Sequence, residues 1–172
     1  QSHETAFDLA AGADLILTIG GASVGDHDLV AGVAARLGME QSFYKVRMRP
    51  GKQLMAGTLN ASAMVGLPGN PVAALVCTLI FARPAMAALS GAGWTEPLGF
   101  TVPAAFEKRK KPGRREYLRA RIRDGQAEVF KSEGSGRISG LSWAEGLVEL
   151  PDGEIHVRPG DPVRYIPYGS FS

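Results

Sequence analysis

A glycine-rich segment with two carboxylates, GGASVGDHD at residues 20–28, follows an apolar run and precedes a helical pattern. Glycines in this position let backbone N–H groups approach an anion, and a helix N-terminus adds partial positive charge. The third glycine is misplaced for a dinucleotide-binding fingerprint, and no GxxxxGK[ST] loop occurs in the chain. The segment therefore predicts either an anion site or a tight strand-to-helix turn capped by Asp26 or Asp28.

The two carboxylates of this segment have different expected functions. Asp26 and Asp28 lie two residues apart at the expected helix start, where both cannot be the N-cap. The remaining carboxylate is available to Mg²⁺, which keeps most of its water and takes one or two carboxylates plus ligand phosphate. His27 lies between them, and a lone loop histidine is more often neither a ligand nor a titrating group.

Two further segments are candidate anion sites. Alternation predicts a strand over residues 43–48 and places Lys45, Arg47 and Arg49 on one face, with Lys52 nearby. Such cations repel each other unless an anion lies among them, and the alternative is a solvated edge. The segment LPGNP at residues 67–71 suits a second anion site on the same sheet edge, or only a helix start with an Asn N-cap and a first-turn Pro.

The remaining chemically notable residues favour structural interpretations. The basic residues at 108–111, 114 and 115 flank a Pro-Gly turn without interleaved aromatic residues, so we expect a solvated hairpin tip and no nucleic-acid partner. Cys77 is the one cysteine and lies in an apolar run, which predicts a buried core thiol. No Cys or His spacing suits zinc.

The first half of the chain has the pattern of an α/β domain. Residues 15–19 form a continuous apolar run, typical of a parallel strand covered on both faces, and helical spacing follows until Gly38. Residues 63–67 predict another buried strand. The next helix is expected to run to about Ala82, before Pro84 interrupts it. Strands that alternate with helices indicate an α/β layer domain.

The second half has period two instead. Leu118, Ala120 and Ile122 alternate with arginines, which predicts an apolar and a cationic face. Asp124-Gly125 is a strong hairpin signal, and further turns are expected at residues 151–153 and 159–160. Small residues and proline at 89–97 separate the halves, so we predict domains at residues 1–92 and 93–172, the second a small antiparallel barrel or sandwich.

Composition narrows the class of protein. Of the 172 residues, 45% are apolar, which is enough to bury a core. The net charge is +2. No apolar run approaches a bilayer span and no signal-peptide pattern is present, so we expect a cytoplasmic protein without a membrane partner. The chain starts without Met inside a helical pattern, and we interpret it as a fragment.

Taken together, GGASVGDHD, FYKVRMRPGK and GLPGNPVAA resemble, in order and spacing, the third domain of molybdopterin molybdenumtransferases, the family of bacterial MoeA and the gephyrin E domain. The later segments GRREYLRARI, GSGRISGLSWAEGLVELPDG and RPGDPVRYIP resemble the family's C-terminal barrel. The resemblance implies part of a three-layer αβα domain with a mostly parallel sheet, followed by a small all-β barrel-like domain. It also implies that the fragment alone is inactive, because the upstream domains are absent and the family's site lies between subunits of a homodimer.

The resemblance implies a substrate and a set of site residues. The substrates would be molybdate and adenylated molybdopterin, with Mg²⁺ assisting release of AMP and a molybdopterin adenylyltransferase as a possible partner. Asp28 would be the functional and metal-binding carboxylate, and Lys45 and Arg49 would hold the oxyanion or pterin phosphate. The other residues that it assigns to substrate binding are Gly20, Gly21, Ser23, Gly25 and Asp26 in the first loop, Pro68, Gly69, Asn70 and Pro71 in the second, and Arg119 and Ser139 in the tail.

Two other functions stay open at the level of sequence. A free-standing molybdopterin adenylyltransferase resembles the third domain, but those enzymes usually lack a barrel like the one predicted from about Leu98 onward. A scaffold that anchors a partner peptide without chemistry is the other, as the gephyrin E domain also is. Asp28, Lys45 and Arg49 favour the enzyme.

Overall fold

The computed structural model describes residues 2–21, 29–131 and 138–171. The chain forms two compact units, the first comprising Gln1–Val46 and Gly51–Thr95, the second Arg47–Pro50 and Glu96–Ser172. Sequence assigns residues 47–50 to the first half. The structure assigns them to the second unit because Met48 and Arg49 pair in parallel with Arg115 and Glu116. The predicted fold class, α/β followed by a small all-β region, is confirmed.

The first unit is a four-stranded sheet with helices. Its strand order is β1-β5-β4-β2: β1 is parallel to β5, β5 forms a hairpin with β4, and β2 lies antiparallel to β4. Its elements, numbered in chain order over both units, are α1 (Ser2–Leu9), β1 (Leu15–Ile19), α2 (Leu29–Arg36), β2 (Glu40–Phe43), β4 (Met55–Leu59), β5 (Ser62–Leu67), α3 (Pro71–Cys77) and α4 (Arg83–Leu89).

This sheet is less parallel than expected. Among the described strands of this sheet only β1 and β5 pair in parallel, and the β5·β4 and β4·β2 pairs are antiparallel. The cause is a β4–β5 hairpin whose turn residues Asn60 and Ala61 both have positive φ, 48° and 68°. Alanine rarely adopts this conformation, and the turn lacks the Asn-Gly signal, so the sequence does not indicate the hairpin.

Strand β1 is covered on one face only. Ile16 is buried in a cluster with Phe7 of α1, Val33 of α2 and Met64 of β5. On the other face Leu17 and Ile19 are 42% and 71% exposed. In the described residues the expectation of a strand covered on both faces is therefore wrong, because Leu17 and Ile19 stay exposed on the second face.

The helix after β5 is longer than predicted. It does not end at Ala82 but continues through a π-helical turn, Thr78–Ala82, into α4. In this turn the N–H of Arg83 donates to the carbonyl of Thr78, five residues back. The altered hydrogen-bond register admits Pro84, which has no N–H of its own.

The helical stretch Pro71–Leu89 also corrects the expectation about apolar runs. An 18-residue window of this 19-residue stretch has a mean hydropathy of 2.0, so by length and composition alone the stretch is long and apolar enough to cross a membrane. A core helix of a soluble protein passes the same test, so one such helix is weak evidence for a membrane-spanning segment. Val76, Cys77 and Ala82 of this stretch are buried inside the protein.

The strand predicted over residues 43–48 does not form. Strand β2 ends at Phe43, and β3 (Met48–Arg49) belongs to the second unit. The N–H of Val46 donates to the carbonyl of Lys52 at 3.0 Å, which closes a loop instead of extending a ladder. Lys45, Arg47 and Arg49 therefore do not share one strand face, because loop closure and pairing with another strand satisfy the backbone better than continued alternation.

The second unit is a barrel-like antiparallel sheet. Its strand order is β3-β8-β10-β12-β6, with β9 paired to the later part of β8 on the same side as β3, and a separate β7·β11 pair. The N–H of Ala105 donates to the carbonyl of Ala127 at 2.8 Å, which draws the chain after β6 towards β9. The remaining elements are β6 (Phe100–Pro103), β7 (Lys108–Lys110), β8 (Arg115–Arg123), β9 (Gln126–Val129), α5 (Ser139–Trp143), β10 (Gly146–Leu150), β11 (Ile155–Val157) and β12 (Pro162–Pro167).

The predicted hairpin between β8 and β9 is confirmed. Asp124 and Gly125 have φ values of 50° and 73°, as a two-residue primed turn requires. Turns also separate β10 from β11 and β11 from β12 at the predicted Pro-Asp-Gly and Pro-Gly segments. Local turn chemistry thus fixes the register of β8 against β9.

A buried carboxylate joins three strands of this sheet. Glu149 of β10 is 8% exposed and accepts hydrogen bonds from Arg115 Nη1 at 3.0 Å and Tyr117 Oη at 3.2 Å, both on β8. Arg164 of β12 also donates to it. Burial, reinforced by this carboxylate, raises the pKa of Tyr117 to about 12, so the phenol stays a donor.

Two glycines bring the ends of β1 and β5 into contact. The N–H of Gly20 donates to the carbonyl of Leu67 at 2.9 Å, one step beyond the β1·β5 ladder. A Cβ on Gly69 would lie 3.3 Å from Gly20 Cα. The loops after two neighbouring parallel strands therefore meet at the carboxyl edge of the sheet.

We expect Glu149→Gln to lower the free energy of unfolding by about 2–3 kcal/mol, because hydrogen bonds to a charged, buried acceptor are lost. The matched control is Glu145→Gln. Glu145 pairs with Arg123 at the surface, where the side chains are 53% and 45% exposed, respectively. It should cost no more than about 1 kcal/mol. Urea unfolding at neutral pH measures both, and equal losses would contradict the importance assigned to Glu149.

We expect Gly69→Ala to destabilise the protein by roughly 1–3 kcal/mol, the usual cost of overpacking, because the new methyl would press on Gly20. Gly32→Ala in α2 is the control, since its Cβ would meet only the tip of Arg36 at 3.8 Å. This helical substitution should stabilise by about 0.5–1 kcal/mol. Thermal and urea unfolding compare the two, and an unchanged Gly69→Ala protein would show that the loops have room to spare.

Candidate functional site

The predicted glycine and proline loops lie together at one edge of the first unit. Gly20 and Gly21 follow β1 with φ of 82° and 69°, and Gly69 follows the parallel neighbour β5. In α/β sheets, ligands bind outside the carboxyl ends of parallel strands. The structure thus brings Gly20 and Gly69 to the position that such a ligand site requires, with Pro68 beside them in the chain.

The start of α3 is as predicted, with a consequence for the second anion site. Asn70 Oδ1 accepts hydrogen bonds from the N–H groups of Val72 and Ala73 at 3.1 and 3.2 Å, and Pro71 occupies the first turn. These two N–H groups are the donors that an anion at this helix end would use. Asn70 therefore acts as an N-cap, and it reduces what the helix start offers an anion.

Several predicted residues lie outside the described part of the chain. They are Ser23, Gly25, Asp26, His27 and Asp28. Within residues 2–21, 29–131 and 138–171, no group of three or more His, Cys, Asp or Glu side chains is placed to hold a metal ion. Mg²⁺ bound through one or two carboxylates and a phosphate needs no such group. The prediction for Asp28 stays a prediction.

Lys45 and Arg49 belong to different units. Lys45 is exposed in the first unit, with Nζ 5.8 Å from the centre of the Tyr44 ring. Arg49 lies on β3 in the second unit, half exposed, with Nη1 3.8 Å from Glu116 Oε1. Each keeps a charged group at the surface, but their expected common strand face is absent.

The basic hairpin tip is only partly solvated, which corrects the sequence expectation. Lys110 is 3% exposed, and its Nζ donates to the carbonyls of Lys111, Asp152 and Gly153 at 3.1, 3.3 and 2.8 Å. Lys108 pairs with Glu116 at 3.3 Å. With Arg115, which donates to Glu149, three of the six cations hold strands and turns together, because they are placed against acceptors that the sequence does not reveal.

The cationic face of β8 is covered by aromatic rings. The guanidinium of Arg119 lies 4.9 Å from the Phe130 ring centre, and that of Arg121 lies 4.4 Å from the ring of Trp143 in α5. Arg119 is 6% exposed, and burial lowers the pKa of its guanidinium. Arginine nonetheless stays charged at neutral pH, since its ordinary pKa exceeds 12.

The structure brings Arg119 and Ser139, both predicted site residues, into one neighbourhood. Gly140 follows Ser139 at the start of α5, and a Cβ on Gly140 would lie 2.4 Å from Arg119 Nη1. Ser139 itself is exposed. Phe130 and Gly140 were not among the predicted residues, although counting pairs from the Asp124-Gly125 turn already places Phe130 opposite Arg119.

Cys77 is a core residue, as predicted. It is fully buried, and burial raises the pKa of its thiol to about 12. Its Sγ lies 3.8 Å from the carbonyl oxygen of Gly51. A protonated, inaccessible thiol is neither a nucleophile nor a metal ligand at neutral pH.

Comparisons with known proteins give the same two parts. Residues 1–88 match the family model of a probable molybdopterin binding domain, and residues 101–168 match that of the MoeA C-terminal region, domain IV. A molybdopterin molybdenumtransferase from a Nostoc species is 36% identical over 93% of this chain and 39% of its own length. One from Haemophilus influenzae is 33% identical over 91% and 40%.

Solved structures share the fold. The molybdopterin biosynthesis moea protein from Pyrococcus horikosii superposes with a TM-score of 0.81 at 22% identity, over 100% of this chain and 41% of that one. A molybdenum cofactor biosynthesis protein from Pyrococcus furiosus gives 0.74 at 25% identity, over 96% and 53%. The chain thus spans about two fifths of the length of the two enzymes it matches. Since the first family model covers 88 of the 172 residues, the chain belongs to the family of the probable molybdopterin binding domain.

Proposed function

We propose that the protein to which this chain belongs inserts molybdenum from molybdate into adenylated molybdopterin, with release of AMP. Relatives that match nearly the whole chain are named molybdopterin molybdenumtransferases. The observation that carries the proposal is the contact of Gly20 with Gly69. It leaves bare backbone at the ends of two adjacent parallel strands, where an anionic ligand can approach closely.

The glycine edge would hold the phosphate side of the substrate. Gly20 and Gly21 have positive φ, so side chains are disfavoured there and peptide groups stay accessible. We propose that the backbone N–H groups of Ser23, Gly25 and Asp26, which follow in the chain, extend this phosphate-binding surface. Pro68, Gly69 and Pro71 would form the adjoining wall, and Asn70 would fix the start of α3 behind it.

Mg²⁺ would be held by Asp28 together with substrate phosphate. The donor set fits the ion, because one carboxylate plus phosphate oxygens and water is the arrangement that Mg²⁺ accepts. When bound, the ion supplies positive charge that stabilises the departing AMP. Asp28 would set the position of that charge relative to Gly20 and Gly21, whose peptide groups orient the phosphate.

Positive side chains would bind the oxyanions. Lys45 is exposed in the first unit and can hold a phosphate or molybdate oxygen by a charge-assisted hydrogen bond. Arg49 retains a half-exposed guanidinium beside Glu116. In the second unit, Arg119 and the exposed Ser139 form a further proposed oxyanion-binding pair. We propose these residues individually, since no common strand face joins them.

The family also supports proposals about the whole protein. A homodimer, a cytoplasmic location and a molybdopterin adenylyltransferase as partner fit a biosynthetic enzyme of this kind. Two other functions would differ in their products. An adenylyltransferase would consume ATP and form the adenylated pterin, whereas a binding module would form no product. Molybdate-dependent release of AMP separates both from the proposed enzyme.

We expect Asp28→Asn to abolish molybdate-dependent AMP release by the full-length protein while its melting temperature is nearly kept, because the metal loses its carboxylate. Asp26→Asn is the matched control and should cost roughly 1 kcal/mol of stability or less, since Asn is itself a good N-cap. Activity assays and thermal unfolding are run on both variants. If Asp26→Asn were inactive and Asp28→Asn active, Asp26 would be the metal-binding carboxylate and Asp28 the N-cap.

We expect Lys45→Ala to weaken binding of molybdate or of the adenylated pterin by roughly 1.5–3 kcal/mol, the value of one lost charged hydrogen bond. Arg49→Ala should do the same and also lose its ion pair with Glu116. Lys52→Ala, an exposed lysine of the same loop, is the control and should bind normally. Calorimetric titration at two salt concentrations measures this, and the loss should shrink as salt rises. Unchanged affinity in both variants would leave these cations as solvated surface residues.

A further inference from the structure

We propose that Phe130 and Gly140 are positioning residues that hold the guanidinium of Arg119 at the oxyanion-binding edge of the second unit. The proposal rests on the function assigned to Arg119 above. Neither Phe130 nor Gly140 would contact the substrate, and both would act through the geometry of Arg119.

Phe130 forms the first wall of the Arg119 pocket. Its N–H donates to the carbonyl of Arg119 at 2.9 Å, so the two residues are locked opposite each other at the end of the β8–β9 hairpin. The ring lies 4.9 Å from the guanidinium carbon, a distance at which the electron-rich face attracts a cation. Phe130 therefore restrains the height of the guanidinium above the sheet.

Gly140 forms the second wall. A Cβ at this position would lie 2.4 Å from Nη1 and 2.9 Å from Cζ of Arg119, and 2.7 Å from Cδ1 of Phe130. Real Cβ atoms essentially never approach this closely, so any side chain here would displace the guanidinium or the ring. A glycine inside a helix is intrinsically unfavourable. Its presence at the point of contact leaves the space that Arg119 fills.

The helix that carries Gly140 is itself anchored to β8. Trp143 lies 5.4 Å from the Phe130 ring, and Arg121 stacks on Trp143 at 4.4 Å. Arg121 also pairs with Glu128 at 3.0 Å. The N–H of Glu145, just beyond the helix, donates to the carbonyl of Ala120 at 2.9 Å. These contacts prevent α5 from moving away to relieve pressure on Arg119.

The small exposure of Arg119 makes its position important. Only 6% of the residue meets solvent, and Ser139, next to Gly140, is exposed. An oxyanion would therefore meet only the small exposed part of Arg119. A shift of the guanidinium by a few tenths of an ångström alters the geometry of the hydrogen bonds that it donates there.

The test is a double-mutant cycle in the full-length protein, with the KM for molybdate and kcat as readouts. We expect Arg119→Met, which keeps the length of the side chain without its charge, to raise KM by roughly tenfold or more, since one charged hydrogen bond is lost. Gly140→Ala should raise KM several-fold with kcat nearly unchanged. The double variant should be no worse than Arg119→Met, because Gly140 acts only through Arg119.

Matched variants identify the cause of any change. Gly153→Ala is the control for a glycine substitution, since nothing lies within 4 Å of its Cβ position. Phe130→Leu should raise KM, and Phe130→Tyr should restore it by returning an aromatic face. Additive effects of Gly140→Ala and Arg119→Met, or an unchanged KM in Gly140→Ala, would overturn the positioning proposal. An unchanged KM in Arg119→Met would instead overturn the function proposed for Arg119, and the positioning proposal with it.

Discussion

The parallel pairing of β1 with β5 is the constraint on which the candidate site depends. It aligns the carboxyl ends of the two strands, and the hydrogen bond from Gly20 to Leu67 extends the ladder into the loops. The approach of Gly20 to Gly69 then leaves no room for side chains between the backbones. Two loops whose contacting glycines lie 49 residues apart in the sequence thus become one backbone surface of the kind that a ligand with phosphate groups needs.

The second unit depends on a different principle, the partnering of buried charge. Glu149 is surrounded by donors from two strands, and Lys110 is surrounded by three carbonyl oxygens. Arg119 is stacked on an aromatic ring. An unpartnered buried charge would be costly, so each of these contacts restricts where its strand can lie. The barrel therefore relies on specific polar contacts as well as on its apolar cluster around Val148 and Tyr165.

These two principles serve binding in different ways. Backbone at a glycine edge offers N–H groups whose positions are fixed by the sheet, and it binds phosphate without a flexible side chain. A stacked arginine offers charge whose direction is fixed by its neighbours. Both reduce the reorganisation that a ligand must cause on binding, which is how preformed sites gain affinity and orient a substrate. The proposed transfer of molybdenum requires such orientation of two anionic substrates.

Local chemistry written in the sequence determined several features of this protein. Asn70 and Pro71 start a helix, Asp124-Gly125 makes a hairpin, and the apolar run at residues 15–19 is a strand. The order and spacing of the motifs also indicated the resemblance to molybdopterin molybdenumtransferases. Each motif could be recognised because it lies within a few consecutive residues. The loops at Gly20 and Gly69 could be placed on one sheet edge from strand directions alone.

Only the tertiary structure decided the features that arise from distant contacts. The hairpin at Asn60 and Ala61 depends on a positive φ at Ala61 that alanine does not favour, and β3 pairs with β8 in the second unit instead of joining the first unit. Alternation suggested one cationic strand face for Lys45 and Arg49, but backbone hydrogen bonds to Lys52 and Arg115 placed the two residues in different units. The burial of Arg119 beneath Phe130 and Gly140 was equally hidden, because residue type records a charge but not what packs against it.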